Sequence, residues 1–489
     1  MCDLLTLSAT EQARLIRQGE LSPVELIDQS LDRIETVQPL FNPFCFIFAE
    51  QARKIAKQQQ AELASGISRA DLPPLFGLPI AIKDFTPTKG QTTTRGSCAF
   101  KDWVPDHDAE IVKRLKRAGA IVIGKTTTPE FAWSSFTRSK LWGDTTNPWN
   151  AAHTSGGSSG GSAVAVTTGC VSLAEGTDMG GSVRIPAALC GITGMKPSLG
   201  RIPMDILDTT FDNISHFGPL ARSVADAALF LSVTEGAHSS DIQSQKNYLQ
   251  TRPNTQAPAE LATHNAQAMS DLGGLTIAVS EDLGFYAVDA DVLSNFHKMT
   301  AILEQQGARL IPAELDWSVD YADAWLDLWA VFQAAAFGHL IEEFEADMDP
   351  GLVSLMRKGQ SMTAVSYRQI ETLRTQQWKK LARVLNKADA LICPTMARTA
   401  PLKDASDAEF ERVDSKGKLQ GLDMTAVFNN VSQCPVLSQP SGVCKKGLPT
   451  AVQLVGHPYQ DNSVLAIAAA LEAQHQAPQW TPGSNEGCG

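Results

Sequence analysis

Hydrophobic positions follow two different spacings along the chain. In residues 8–66 they recur every three or four residues, as at Ile27, Leu31 and Ile34, which is the spacing of amphipathic helices. Further along, short apolar runs such as Leu78–Ile82 have the length and composition of buried strands, and helical patterns separate them. Alternating helices and strands of this kind favour an α/β fold built around a mixed sheet.

Several helix starts are marked by capping residues. Ser8 has a glutamate three residues later, and Ser22 is followed by Pro23 at the first helical position. Ser223 has an aspartate three residues later and follows a stretch, residues 204–222, that shows no regular pattern. We therefore predict helices that begin after each of these three serines.

The same patterns predict the remaining elements. Helices are predicted at 48–60, 108–118, 289–306, 325–344, 378–385 and 463–474. Strands are predicted at 78–82, 120–123, 275–279, 390–395, 435–438 and 451–456. The aromatic stretch 129–149 is predicted to form a loop, and the polar stretch 237–271 to form an excursion on the surface.

Composition narrows the range of partners. The chain has 489 residues and a formal net charge of −12, which argues against nucleic acid as a direct partner because phosphate contacts need a basic surface. No apolar run has the roughly 18–20 residues that span a bilayer, and the N-terminus lacks the pattern of a signal peptide. The nine cysteines include no CxxC pair, and the histidines show no metal-ligand spacing. We therefore expect a cytoplasmic protein that binds no metal, membrane or nucleic acid.

Two glycine–serine clusters, at 156–161 and 180–182, are the strongest sign of chemistry. Glycines let a ligand approach the main chain closely, so a serine between them can place its hydroxyl beside several N–H groups. That arrangement can build a nucleophile next to an oxyanion hole. A flexible linker is the alternative, but the apolar flanks at 163–166 and 183–188 argue against a solvated tether.

Lys83 directly follows the predicted strand at 78–82 and is a candidate base. A lysine at the end of a buried strand risks desolvation, and only a neutral lysine can accept a proton. The alternatives are a lysine exposed at the strand end or one paired with Asp84. Neither serine cluster contains a histidine, which disfavours a Ser–His–Asp triad.

Residues 119–126, GAIVIGKT, match the phosphate-loop pattern GxxxxGK[ST]. That pattern requires a loop between a strand and a helix, whereas here the four variable positions themselves form the predicted strand at 120–123. Residues pleated in a strand cannot wrap a phosphate with their N–H groups. The sequence therefore argues against nucleotide binding at this position.

Motifs spread over nearly the whole chain resemble the amidase signature family. They are LPIAIKD at 78–84, NPW at 147–149, GGSSGGSA at 156–163, GTDMGGSVRIPAALCG at 176–191, GMKPSLGRIP at 194–203, HFGPLARSVADAA at 216–228, and PVLSQPSG with GLPTAVQLVG at 435–456. The resemblance implies a single large domain with a central twisted mixed β-sheet surrounded by helices. It also implies hydrolysis of a carboxylic amide without cofactor or metal. We expect a helical region at 1–70 packed on a catalytic domain at 71–489, with a variable substrate-pocket region at about 320–380.

The family's Ser–cis-Ser–Lys triad can be carried over onto this chain residue by residue. The resemblance implies Ser182 as the nucleophile, Ser158 as the bridging serine and Lys83 as the base. It also implies a cis peptide between Gly157 and Ser158. The interval of 24 residues between the two serines fits the family spacing and favours Ser158 over its neighbour Ser159. The implied oxyanion hole consists of the N–H groups of Met179, Gly180, Gly181 and Ser182.

Two positions depart from the residues that are usual in this family. Met179 stands where threonine or isoleucine is commoner, but the position contributes its backbone, so we expect activity to be retained. Glu175 stands where a small or apolar residue is usual, and we expect it to affect only local packing.

Two kinds of amidase fit these motifs. The leading interpretation is a hydrolase that acts alone on a small-molecule amide through an acyl-enzyme on the serine. The alternative is the glutaminase component of glutamyl-tRNA amidotransferase, its A subunit, because Asp423 resembles the glutamine-binding aspartate of that component. The stretch 133–138 departs from the GSSTE of that component, and Trp133 and Phe136 within it favour a more apolar substrate. Trp133, Ser134 and Asp423 are the candidate substrate-binding residues, and a homo-oligomer remains an option.

Overall fold

An eleven-stranded mixed sheet runs through the computed structural model, which describes residues 4–249, 272–476 and 478–481. The strands of the chain are β1 (Phe44–Ile47), β2 (Pro79–Lys83), β3 (Ile121–Thr126), β4 (Arg138–Ser139), β5 (Gly143–Asp144), β6 (Thr146–Asn147), β7 (Asn150–Thr154), β8 (Leu173–Asp178), β9 (Thr193–Lys196), β10 (His216–Ala221), β11 (Thr276–Val279), β12 (Arg309–Pro312), β13 (Ala390–Pro394), β14 (Val436–Val443) and β15 (Pro449–Gly456). Two small separate sheets pair β4 with β5 and β6 with β7.

Helices surround the large sheet. They are α1 (Ala9–Gln18), α2 (Pro23–Phe41), α3 (Ala49–Ala64), α4 (Glu110–Arg117), α5 (Gly160–Thr167), α6 (Arg184–Cys190), α7 (Val224–Thr234), α8 (Ala290–Gln305), α9 (Asp320–Phe337), α10 (Ile341–Phe344), α11 (Pro350–Ser361), α12 (Ala364–Leu385) and α13 (Asp461–Gln474). The α/β fold with a central mixed sheet, as expected from the sequence, is confirmed.

The order of the strands brings the ends of β2 and β8 together. The order is β1-β3-β2-β8-β10-β9-β14-β15-β13-β11-β12. β2 is parallel to β3 and β8, β11 is parallel to β12 and β13, and the other neighbouring pairs are antiparallel. Since β2 and β8 are parallel neighbours, their last residues, Lys83 and Asp178, lie at the same end of the strands. The candidate active site lies at this end of the two strands.

Three predicted helix starts are confirmed by side-chain caps. The hydroxyls of Ser8, Ser22 and Ser223 each accept a hydrogen bond from a backbone N–H in the first turn of α1, α2 and α7, at 3.2, 3.1 and 3.1 Å. Each cap satisfies one of the N–H groups that the start of a helix leaves without a backbone partner.

Five strands contradict the predictions made from the local pattern: the short strands β4, β5 and β6 lie in the predicted loop at 129–149, and β1 and β10 are longer exceptions. β1 lies in the stretch 8–66 that was expected to be helical, and β10 lies in the stretch 204–222 that was expected to be irregular. β1 pairs with β3, and β10 lies between β8 and β9 with all of its residues buried. Pairing with strands that are distant in sequence outweighs local preference at both places. Residues 250–271 of the predicted surface excursion lie outside the described residues.

The segment that matches a phosphate loop forms β3, as predicted. All six residues of β3 are buried between β1 and β2. Lys125 Nζ donates to the hydroxyls of Thr88 at 3.3 Å and Thr93 at 3.2 Å, and also to the carbonyl of Thr86. The ammonium group is therefore turned into the protein interior.

The apolar segment Asp320–Asp347, which contains α9, has the length and composition of a membrane-spanning helix. Core helices of folded proteins can have the same length and composition. The segment is folded into the protein, since α9 packs against α11 and α12 and buries Leu328, Trp329 and Ala330. It forms one side of the region around the candidate site.

Candidate active site

Lys83 is the centre of a small polar cluster at the end of β2. Its ammonium Nζ lies 2.6 Å from Ser158 Oγ and 2.8 Å from Thr177 Oγ1. Ser158 lies just before α5, and Thr177 lies on the neighbouring strand β8. Lys83, Ser158 and Thr177 are each at most 1% exposed. The structure therefore brings together the lysine and the bridging serine from segments 75 residues apart. The peptide between Gly157 and Ser158 is cis, as the family resemblance implies.

Burial changes the protonation of Lys83. Loss of hydration lowers the pKa of Lys83 to about 7, while the nearby carboxylates of Glu175 and Asp178 act in the opposite direction. The ordinary pKa of a lysine is 10.5. Near neutral pH a large fraction of Lys83 is therefore uncharged and able to accept a proton.

Asp84 follows Lys83 in the chain, and Glu175 lies on the neighbouring strand β8. Asp84 accepts hydrogen bonds from the backbone N–H of Thr94 at 3.0 Å and from its hydroxyl, so it is turned away from the Lys83 ammonium. Glu175 accepts the backbone N–H of Lys83 at 2.9 Å and the hydroxyl of Thr86 at 2.9 Å. Burial raises the pKa of both carboxyl groups. Glu175 thus lies beside the candidate base, a contact that the sequence-based expectation of mere packing did not include.

Ser182 lies in a loop between β8 and α6, and we call residues Met179–Ser182 the glycine loop. Ser182 is half-buried, and its carbonyl accepts the backbone N–H of Ser159 at 3.1 Å. This bond joins the two serine clusters directly. Among the described residues, none forms a hydrogen bond with the Ser182 hydroxyl, and the Ser158 hydroxyl is bonded to Lys83.

A buried ion pair next to the glycine loop fixes the conformation of the loop. Arg184 donates from Nε to Asp178 Oδ2 and from Nη2 to Oδ1, both at 3.0 Å, and both side chains are completely buried. Burial alone would raise the pKa of Asp178, but the charge and hydrogen bonds of Arg184 hold that pKa well below its usual value. Asp178 Oδ1 also accepts the N–H of Gly181 at 2.9 Å. The carboxylate is therefore ionised and fixes the middle of the loop.

The backbone N–H groups of the glycine loop differ in whether they already have a hydrogen-bond acceptor. Four donors are implied by the family resemblance, but the Gly181 N–H is already bonded to Asp178. The N–H groups of Met179, Gly180 and Ser182 donate to no acceptor within the described part of the chain. The structure therefore leaves three of the four implied donors available for an oxyanion and departs from the expectation at Gly181.

The three candidate substrate-binding residues are in different situations. Trp133 is half-buried, and its carbonyl accepts the indole N–H of Trp329 at 3.0 Å. Ser134 is buried, and its hydroxyl donates to Asp407 Oδ2 at 2.8 Å, so its side chain has a structural partner. Asp423 Oδ1 accepts the backbone N–H of Thr425 at 2.9 Å and lies 2.5 Å from the Thr425 hydroxyl oxygen.

Three further residues of the site were not singled out from the sequence. The Thr425 hydroxyl contacts the Gly180 carbonyl at 2.7 Å, which places Asp423 next to the glycine loop. Trp325 of α9 donates its indole N–H to the Met179 carbonyl at 2.8 Å. Thr177 lies within the GTDMGGS motif and could have been found from it, whereas Trp325 and Thr425 come from segments far along the chain.

Several known proteins are similar to this chain in sequence and in fold. The profile of the family described as Amidase matches residues 25–465. An acylamidase of Rhodococcus erythropolis is 33% identical over 469 residues, which cover 96% of this chain and 95% of the relative. The A subunit of the glutamyl-tRNA(Gln) amidotransferase of Roseiflexus castenholzii is 32% identical over 496 residues and 96% of each chain. The crystal structure of a bacterial aryl acylamidase of the amidase signature family has a TM-score of 0.85, with 26% identity over 96% of each chain.

Proposed function

The chain belongs to the amidase family and hydrolyses amide bonds, and on this premise we propose that Lys83, Ser158 and Ser182 are its catalytic triad. The observation that carries this proposal is the 2.6 Å hydrogen bond between Lys83 Nζ and Ser158 Oγ in a completely buried setting. A serine hydroxyl is a weak nucleophile without a base, and a lysine that burial keeps neutral can serve as one.

Proton transfer and attack follow from this arrangement. Neutral Lys83 accepts the proton of Ser158, and Ser158 accepts that of Ser182, whose oxygen attacks the amide carbonyl carbon. The relay requires a hydrogen bond between the two serines, and such bonds are often completed only when substrate is bound. When the C–N bond breaks, the proton returns through Ser158 to the leaving nitrogen. Water then hydrolyses the ester on Ser182 and releases the carboxylic acid.

The glycine loop stabilises the charge that develops on the carbonyl oxygen. The N–H groups of Met179, Gly180 and Ser182 are the donors without a partner among the described residues. Preorganised donors of this kind contribute roughly 3–4 kcal/mol each to the stability of the transition state. The Gly181 N–H contributes indirectly, since its bond to Asp178 holds the shape of the loop.

The substrate we propose is a small-molecule amide with an apolar group, bound beside Trp133 and the region at about 320–380. Its support is the stack of Trp325 on Trp329, with ring centroids 6.1 Å apart, next to the glycine loop. Seven cysteines in the described part of the chain are free thiols, which supports a cytoplasmic location. A homo-oligomer is compatible with these proposals.

The glutaminase component of glutamyl-tRNA amidotransferase is the second candidate, and Asp423 beside the glycine loop is the observation that favours it. A panel of aryl amides, alkyl amides, esters and glutamine, tested on the purified chain, separates the two. We expect turnover of apolar amides by the chain alone. Glutamine hydrolysis that appears only when the other components of such an amidotransferase are added would favour the second candidate.

Ser182→Ala tests the triad. The variant should retain the fold and lose at least about a thousandfold in kcat, because the nucleophile is removed while the oxyanion donors remain. Turnover of the best substrate from the panel and circular dichroism are the measurements. Ser159→Ala is the matched control, since Ser159 lies beside the proposed bridging serine and its hydroxyl has a single hydrogen bond within the described residues, to the Thr177 carbonyl at 3.4 Å. Amide hydrolysis by Ser182→Ala at more than a few per cent of the wild-type rate would exclude the proposed nucleophile.

A further inference from the structure

The three peptide units of the glycine loop are each held through their carbonyl oxygen. The Met179 carbonyl accepts the Trp325 indole N–H at 2.8 Å. The Gly180 carbonyl lies 2.7 Å from the Thr425 hydroxyl, whose single proton it shares with Asp423 Oδ1 at 2.5 Å. The Gly181 carbonyl accepts a backbone N–H from the start of α6 at 2.7 Å. In a trans peptide the C=O and the N–H of the next residue point in opposite directions. Each of these bonds therefore also sets the direction of one N–H group.

The consequences differ for the three N–H groups. Fixing the Gly180 carbonyl directs the Gly181 N–H towards Asp178, where it is bonded at 2.9 Å. Fixing the Met179 and Gly181 carbonyls directs the N–H groups of Gly180 and Ser182, which have no acceptor among the described residues. The Ser182 N–H is oriented by the bond from the backbone of the following helix, α6, to the Gly181 carbonyl. The Gly180 N–H, in contrast, depends on a side chain 146 residues away.

The Trp325 ring also packs directly against the loop. A Cβ atom added at Gly180 would lie 2.0 Å from a ring carbon of Trp325, so the ring occupies the space that a side chain would fill. At Gly181 the same construction meets the Thr425 hydroxyl at 1.9 Å. Both glycines are therefore required by the two side chains that hold the loop carbonyls.

We propose that Trp325 and Thr425 are positioning residues that orient the glycine loop for transition-state binding. Trp325 turns the Gly180 N–H towards the developing oxyanion, and Thr425 holds the next peptide so that the Gly181 N–H stays on Asp178. This inference rests on the proposed function, because it takes Ser182 as the nucleophile and the loop as the oxyanion hole. It adds that α9, in the region expected to vary with substrate, takes part in shaping the catalytic loop.

Trp325→Phe tests the role of the indole N–H. The change keeps an aromatic side chain on α9, shortens it where the outer indole ring packs against Gly180, and removes the donor to the Met179 carbonyl. The value of kcat should fall roughly 10- to 100-fold, less than the loss of an oxyanion donor itself, with KM within about threefold. The matched control is Trp149→Phe, which removes an indole N–H bonded to the Cys190 carbonyl at 2.9 Å, outside the glycine loop. Its kcat should stay within about twofold of the wild type.

Thr425 provides a second, independent pair of variants. Thr425→Val removes the hydroxyl at nearly constant volume and should lower kcat, whereas Thr425→Ser keeps the hydroxyl and should restore most of it. An aldehyde that forms a tetrahedral adduct should bind both Trp325→Phe and Thr425→Val more weakly by about the factor lost in kcat. This readout separates loop positioning from a loss of folded protein, which would lower active-site concentration without changing affinity.

The outcomes distinguish this inference from the proposed function. If Ser182→Ala is inactive while Trp325→Phe and Thr425→Val keep wild-type kcat and aldehyde affinity, the positioning role is wrong and the triad stands. If Ser182→Ala stays active, the proposed function is wrong. Should Trp325→Phe not fold, the comparison of Thr425→Val with Thr425→Ser decides the question.

Discussion

Two buried lysines on neighbouring strands have different surroundings, and this difference supports Lys83 as the proposed base. The Lys125 ammonium of β3 donates to the hydroxyls of two threonines and to a carbonyl. Among the nearby charges, that of Asp84 favours its ammonium form most strongly. Lys83 of β2 has a serine and a threonine hydroxyl as its partners. Burial lowers the pKa of both lysines. Only Lys83, however, is bonded to a serine next to the glycine loop.

The pKa of Lys83 should appear in the pH dependence of the reaction, and Glu175 should influence it. Since the neutral lysine is the active form in the proposed mechanism, kcat/KM should rise with pH and level off above about 7, the pKa of Lys83. The Glu175 carboxylate raises that pKa, so Glu175→Gln should move the acid limb to lower pH. The measurement is kcat/KM across the acid limb and its plateau for both proteins.

The control for Glu175→Gln is Glu130→Gln. Glu130 is also a buried carboxylate that accepts one serine hydroxyl and one backbone N–H, each at 2.7 Å, but it is not among the charges that act on Lys83. Its substitution should leave the limb in place. An unchanged limb in Glu175→Gln, or an equal shift in both variants, would contradict the influence of Glu175 on the base.

At this scale the sequence motifs predict the triad and not its surroundings. Lys83 and Ser158 lie within specific motifs, and the structure places them 2.6 Å apart. Trp325 and Thr425 lie outside those motifs, and their roles depend on the approach of distant segments to one loop. Glu175 could be seen as unusual, but its contact with the Lys83 backbone follows from the register of two parallel strands.

The glycine loop shows how an element's conformation depends on what packs against it. Gly181 has φ +127°, a value that side chains disfavour, and the Thr425 hydroxyl fills the position of a Cβ atom. Local sequence indicates the need for glycine here. The crowding that makes it necessary comes from Thr425, a residue 245 positions beyond the Gly180 carbonyl to which it donates.

Gly181→Ala should therefore damage both activity and stability. The added methyl group must displace Thr425 from the Gly180 carbonyl, so we expect kcat to fall at least about tenfold and the melting temperature to drop. Activity assays and thermal denaturation measure the two effects. Gly66→Ala is the control, because Gly66 also has a positive φ, +85°, but no atom lies within 4 Å of an added Cβ. Equal losses in the two variants would show that backbone strain alone, and not contact with Thr425, is responsible.

Among the elements, those with their own local signals are the ones that the sequence predicts. α1, α2 and α7 begin at serine caps, and β2 and β3 are continuous apolar runs. β1 and β10 lack such a signal, since they have strand geometry because β3, β8 and β9 lie beside them. The strand conformation of β1 and β10 therefore depends on the topology of the whole molecule.

The whole molecule contains ionisable groups that the active site does not use, and one of them joins two helices of the outer layer. Glu472 on α13 accepts the backbone N–H of Val224 at the start of α7, at 3.0 and 3.2 Å to its two oxygens. Burial raises the pKa of Glu472 from 4.5 to about 7, and the backbone hydrogen bond opposes this only in part. The folded state therefore holds the proton of Glu472 more tightly than the unfolded chain.

This difference makes stability depend on pH in a defined direction. Below about 4.5 the group is protonated in both states, and between 4.5 and 7 only the folded state keeps the proton, so its contribution to stability is lost as pH rises to about 7. Glu472→Gln removes the titration and keeps one acceptor for the Val224 N–H. The variant should melt a few degrees higher than the wild type in alkaline buffer above that pKa, and this difference should shrink or vanish at pH 4.5. Glu304 on α8 is exposed, so Glu304→Gln should change the melting temperature little at either pH. Equal differences between Glu472→Gln and the wild type at both pH values would show that burial of this carboxylate does not limit stability in alkaline solution.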